Sequence, residues 1–144
     1  MNLKALDEAI GKLSGTHIFG PRTEEEITAA EQRLGLTFAE DYRAYLLKYG
    51  AVWSNEIELT GLFGKSSPDG VVEATLDERE YDEEFPKDAY VVHNWAYDGI
   101  VAIQYANGEI YARGSGYITK KMNDSLAEYI EEEIRLDRED EEED

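Results

Sequence analysis

Residues 23–51 read TEEEITAAEQRLGLTFAEDYRAYLLKYGA, and this stretch specifies two helices and the corner between them. The Thr23 hydroxyl can accept the backbone N–H of Glu26, while Glu26 can reach back to Thr23, a reciprocal capping box. Thr37 and Glu40 repeat the same spacing and predict a second cap. Gly35 and Gly50 follow the two apolar runs, at the position where a left-handed residue closes a helix without a Cβ penalty. The first helix sets Ile27, Ala30 and Leu34 on one stripe; the second sets Phe38, Tyr42, Tyr45, Leu46 and Tyr49. Two short amphipathic helices joined this tightly must bury their stripes on the rest of the chain.

Outward from that corner the chain reads as helices first, then strands, then one helix. Residues 2–13 predict a helix with Leu3, Leu6, Ile10 and Leu13 on one face. Residues 16–22 read as a connector punctuated by Gly20-Pro21. After the corner, residues 56–59 alternate like a strand, Leu62-Phe63 continue it, and GKSSPDG is a loop. Residues 71–76 read as a further strand and residues 77–87 as a charged connector. Residues 90–95, 100–105 and 110–113 are strands by their β-branched and aromatic content. Asn107-Gly108 predicts a two-residue hairpin turn, which places Tyr105 opposite Ile110 and Ile103 opposite Ala112. Val101, Ile103, Tyr105, Ile110 and Ala112 then form the core face, with Ala102, Gln104, Tyr111 and Arg113 on the polar one. Residues 117–120 make a further strand plausible.

Ser125 and Glu128 suit the start of a last helix, with Leu126, Tyr129, Ile130 and Ile134 on its apolar stripe. Its second half is acidic, and acids at a helix C-terminus oppose the macrodipole, so residues 137–144 are expected to be a disordered tail. The whole predicts a single α+β domain over residues 1–136: N-terminal helices, a mostly antiparallel sheet of about five or six strands, and a C-terminal helix.

Composition narrows function. The chain has no cysteine, which removes disulfides, zinc thiolates and thiol nucleophiles. Its first residues carry acids and no unbroken apolar run, so neither a signal peptide nor a membrane anchor is expected, and a cytoplasmic location is the default. The net charge of −19 repels nucleic acid and anionic membranes and attracts basic proteins. Gly61 to Ser66 brushes against a phosphate-binding loop but lacks the required glycine at Leu59 and the following helix. His17 and His93 are the only histidines, and His93 within a strand suits a packed, hydrogen-bonded role. No EF-hand spacing appears. Among thirty-three acids, a carboxylate pair for hydrolysis has no distinguishing mark. No catalytic residue, metal or cofactor is expected.

What remains is a surface for protein binding. Asp77, Glu78, Glu80, Asp82, Glu83 and Glu84 form one acidic run, with Tyr81 and Phe85 interleaved. Trp95, Tyr97 and Asp98 put two large aromatics beside an acid at a strand end, and Trp53 follows the second helix of the corner. Aromatic anchors within an acidic rim suit a basic partner. The alternative is that Trp95 and Tyr97 are core residues and the acidic run a solvated connector.

The corner also resembles a known family. Ala30-Glu31, Leu34-Gly35-Leu36, Asp41-Tyr42, Tyr45-Leu46 and Tyr49-Gly50 are similar to the N-terminal signature of the SUKH superfamily, the Smi/Knr-type proteins found widely as bacterial immunity proteins. Ala39 stands where that family usually has proline, and Ala51 where a second glycine is common. The resemblance implies a non-enzymatic domain that occludes a cognate toxin, often a nuclease with a basic surface. A second branch of the superfamily implies a regulatory or scaffolding role in cell-wall assembly.

Overall fold

The corner forms as its caps require at one end and differently at the other. In the computed structural model, which describes residues 3–95, 99–114 and 120–143, helix α2 (Glu24–Leu34) opens on the Thr23–Glu26 capping box and closes on Gly35 in the left-handed region. Helix α3 (Glu40–Tyr49) has Ala39 at its N-cap and no side-chain cap there, so Thr37 and Glu40 do not form a second box. The N–H groups entering α3 find distant partners instead. Phe38 donates to Glu31 of α2 (2.8 Å) and Ala39 to the Tyr90 hydroxyl (2.9 Å). Ala39 has φ −61°, a value proline adopts readily. Proline would forfeit the bond to Tyr90.

Helix α1 (Leu3–Gly11) buries Leu6, Ala9 and Ile10, while Leu3 stays exposed, so the expected stripe starts one turn late. It packs on α5 (Leu126–Glu143), whose Leu126, Tyr129, Ile130 and Ile134 are buried. Ser125 accepts the N–H of Glu128, but Glu128 reaches the N–H of Asp124 rather than that of Ser125. Helix α5 runs on to Glu143 through the acidic segment.

The antiparallel sheet is β3 (Ala89–Asn94), β4 (Ile100–Tyr105), β5 (Ile110–Gly114) and β6 (Lys120–Asn123), in sequence order. Of the strand expected over 117–120, only Lys120 is among the described residues. A two-stranded sheet of β1 (His17–Ile18) and β2 (Val52–Trp53) arises where sequence suggested a connector and a loop. Residues 56–59 supply only single bridges, Trp53 to Glu58 and Leu59 to His93. Those bridges link the small sheet to β3. Thr60 completes the join, its N–H donating to Val92 and its hydroxyl to Val91.

Two expectations are corrected. Residues 71–76 are not a strand: they open helix α4 (Val71–Tyr81), so much of the supposed charged connector is helical too. Valine and threonine content imitates a strand, but Val71, Val72 and Thr75 share one buried helical face, and packing overrides propensity. The Thr75 hydroxyl accepts the N–H of Val91, a group at the sheet edge (3.0 Å). The β4–β5 hairpin is also shifted by one residue. Gln104 pairs with Ile110, Ile103 with Tyr111 and Ala102 with Ala112. Gly108 has φ 98° and donates to Tyr105, while the Tyr105 N–H donates to Glu109, so the loop has three residues with a glycine bulge rather than two.

A one-residue slip exchanges faces. Val101 and Ile103 are buried as expected, but with Ala89, Val91 and Phe85 in a second, smaller core against Ala74 of α4. Ala102 and Ile110 face the main core of α1, α2, α3 and α5 with Tyr90 and Val92. Both faces of the sheet are therefore covered. Gln104, expected on the polar face, lies fully buried. It accepts from the Tyr90 hydroxyl (2.7 Å) and donates to Asp41 (3.0 Å) and to the carbonyl of Gly108 (3.0 Å).

Candidate protein-binding surface

The residues expected to bind a partner fall into three separate places. In the acidic run, α4 turns Glu78 and Asp82 partly inward and leaves Asp77, Glu80, Glu83 and Glu84 exposed. Asp82 is tied to Arg113 (2.7 Å) with only 12% of its side chain exposed, and it also accepts the N–H of Glu84. The hydrogen bond from Arg113 holds its carboxyl below the usual range. Burial, then the charges of Asp82 and Asp77, push Glu78 up. Phe85 is core, with the Arg113 guanidinium 5.8 Å from its ring centroid, whereas Tyr81 is 84% exposed. The run is therefore part exposed acidic surface and part structure.

Trp53 belongs to a second place. Its ring meets Phe19 (centroids 4.9 Å apart) and Phe63 (5.8 Å), and His17 packs edge-on against Phe19. Edge-to-face geometry of this kind is favourable between aromatic quadrupoles. The half-buried rings of Phe19, Trp53 and Phe63, with the exposed His17, form their own cluster.

Trp95 is the third. A bulge between Val91 and His93 turns β3 so that His93 lies opposite Ala102, toward α5. There His93 Nδ1 sits 2.6 Å from the Tyr129 hydroxyl, and burial pushes its pKa down to about 4, so the ring is neutral at pH 7. Trp95 continues the stack, 5.1 Å from His93 and 6.4 Å from Tyr129 by centroids, and hydrogen-bonds Glu133. Trp95 is half-buried: one side of the ring packs on the core and the other lines a groove of about 450 Å³. Tyr97 and Asp98 lie outside the described residues. The acidic run does not rim this groove: α4 covers one face of the sheet, and Trp95 packs with α5 on the other.

The acids at the groove are Glu56, Glu133 and Asp137. Burial works against ionisation of Glu56, and the hydrogen bonds from the N–H (2.9 Å) and hydroxyl (2.8 Å) of Ser14 outweigh it, so its carboxyl lies below the ordinary value. Burial, followed by the charge of Glu132, pushes Glu133 up. Sequence reading passed over these three. A helical count from Tyr129 to Glu133 and Leu136 would have placed two of the lining residues beside the core stripe.

A family model described as "SMI1-KNR4 cell-wall" matches residues 4–135. The chain belongs to the SUKH family. An uncharacterized protein of Bacillus subtilis (strain 168), YnaB, is 32% identical over 124 residues, covering 84% of this chain and 72% of YnaB. The SUKH signature residues seen in the sequence are mostly interior here. Ala30, Leu34, Asp41, Tyr42, Tyr45, Leu46 and Tyr49 are all buried. A Cβ on Gly50, at φ 73°, would lie 2.0 Å from the carbonyl oxygen of Gly20, closer than any side chain permits. Asp41 accepts the N–H of Leu126 (2.8 Å) as well as the Gln104 amide, and burial pushes its carboxyl up. The SUKH signature is thus a packing signature, and any partner must be read from the surface. Among the described residues, no helix is long and apolar enough to cross a membrane, and no group of three or more metal-ligating side chains is found.

Proposed function

We propose that this SUKH protein is an immunity protein, one that binds a cognate polymorphic toxin of the basic nuclease type and blocks it by occlusion through an acidic surface, without catalysis of its own. Family membership is the observation that carries this reading. The charge of −19 supports it, because a nuclease must present cations to phosphates and an acidic protein can compete for them. Such charge raises the association rate more than it lengthens the complex's lifetime. The exposed Asp77, Glu80, Glu83 and Glu84 supply long-range attraction, and Trp95 supplies an anchor. The cytoplasm, where a cell must meet an incoming nuclease, is the proposed location. The test is co-expression, in a heterologous bacterium, with toxic proteins encoded beside the gene. Survival that depends on this protein supports the reading, and killing that it never suppresses refutes it.

The description of the matched family favours one other reading, a non-enzymatic regulator or scaffold of cell-wall assembly. Deletion in the host then changes wall composition or sensitivity to wall-active antibiotics, with no toxic neighbour involved.

A further inference from the structure

We propose that the groove beside Trp95 receives an arginine side chain of the partner protein, its guanidinium lying against the indole between the carboxylates of Glu56 and the Glu133–Asp137 pair. The inference rests on the reading of a basic protein partner and gives that partner's contact a chemistry. Ile100, Met122 and Leu136 line the groove with Trp95, an apolar bed for a three-carbon stem. The acids supply the complementary charge.

Three other acids of α5 are already occupied: Glu131 pairs with Lys12 (2.8 Å), Glu139 with Arg135 (2.7 Å), and Glu132 accepts the Asn123 amide. Glu56, Glu133 and Asp137 form no ion pair among the described residues. They stand around one apolar cleft, where a cation offsets their repulsion. Trp95 is held in place by its bond to Glu133 and by its stack on His93 and Tyr129, so little order is lost when a ligand arrives. Arginine fits better than lysine because its planar, weakly hydrated guanidinium stacks on an aromatic face and offers a fork of donors to carboxylates on either side. The cleft between α2 and residues 61–66 is a weaker candidate. Its lining cations Arg33 and Lys65 are balanced by Glu26 and Glu73.

The experiment titrates the ¹⁵N-labelled full chain with Nα-acetyl-arginine amide at fixed ionic strength, following the two tryptophan indole N–H signals, assigned with Trp53→Phe. The signal of Trp95 is expected to shift and saturate while that of Trp53 does not move. Acetyl-citrulline amide, which has the same shape without the charge, should leave both unmoved. Glu133→Gln combined with Asp137→Asn, which keeps an acceptor for the indole, should weaken binding at least tenfold with an unchanged melting curve. No saturation at tens of millimolar, equal shifts with citrulline or lysine amide, or full binding by the double variant would each overturn the proposal. A flat titration beside successful protection from a toxin sinks the groove alone. A saturating one without any protection sinks the immunity reading and leaves the groove standing.

Discussion

Gln104→Ala tests the hairpin register and the buried polar network together. With a two-residue turn, Gln104 would face solvent, and its truncation would fall within about 0.5 kcal/mol of neutral. In the structure it is 0% exposed and makes three hydrogen bonds, one of them to the Asp41 carboxylate. A bond to a charged group contributes about 1.5–3 kcal/mol and each neutral one about 0.5–1.5. The expected loss is therefore about 2.5–6 kcal/mol, a large part of a typical domain's stability of about 5–15 kcal/mol. Urea unfolding followed by far-ultraviolet circular dichroism at pH 7 measures it. A loss below about 1 kcal/mol would refute the register and the network at once. Gln104→Glu adds a pH signature, because it sets a second carboxyl beside Asp41, whose own carboxyl is already pushed up by burial. Folded-state values above the unfolded ones mean that stability is fullest in acid and is lost as pH rises through them. The variant's deficit should therefore narrow as pH falls.

Four further outcomes are expected. His93 has a folded pKa of about 4 against about 6.5 unfolded, so its contribution, about 3 kcal/mol at most, is present above pH 6.5 and is lost as pH falls toward 4; urea midpoints of His93→Gln at pH 7, 6 and 5 should lack that part of the decline. Ile103→Ala should cost about 2–5 kcal/mol by chemical denaturation, since the side chain is fully enclosed between the sheet and α4. Neutralising Glu80, Glu83 and Glu84 together should slow association with a basic toxin and flatten its salt dependence in stopped-flow, with dissociation nearly unchanged; equal association rates would sink the steering idea. Asp82 is left out of that set because it holds Arg113, and Asp82→Asn should instead lower the melting temperature. For residues 137–143, we propose that acids opposing the helix dipole leave the last turns of α5 marginal, so their amides should exchange far faster than those near Ile130.

What could be read from sequence was local. Thr23, Glu26 and Gly35 announce α2 because a cap needs only neighbours in the chain, and the stripes of α3 and α5 follow from spacing alone. The strand reading of residues 71–76 failed because valine and threonine suit either element, and contact with Val91 and Ala89 decides. Asn107-Gly108 marked a turn correctly, but whether two or three residues form the loop depends on where Gln104 finds partners, and Asp41 lies 63 residues away. Strands β1 and β2 have two residues each, too few for any periodicity. Trp95 could be singled out as a large aromatic at a strand end. Its groove could not, because Glu56, Ile100, Met122 and Glu133 come together only when β3, β4, β6 and α5 have packed.

The two oxygens of Asp41 also set an order of events in time. One waits for Gln104 and the other for the N–H of Leu126, 85 residues further along the chain. At ribosomal rates of about 5–20 residues per second, the interval between synthesis of Asp41 and of Leu126 is about 4–17 s. Until α5 arrives, the Asp41 carboxylate lacks the N–H of Leu126, and α1 has α3 but not α5 to pack on. Closure by such distant contacts is slow in itself. If the proposed immunity function holds, a cell making a toxin and this protein from adjacent frames faces a window in which the toxin is complete and this chain is not yet closed. Translating this chain first would shorten that window.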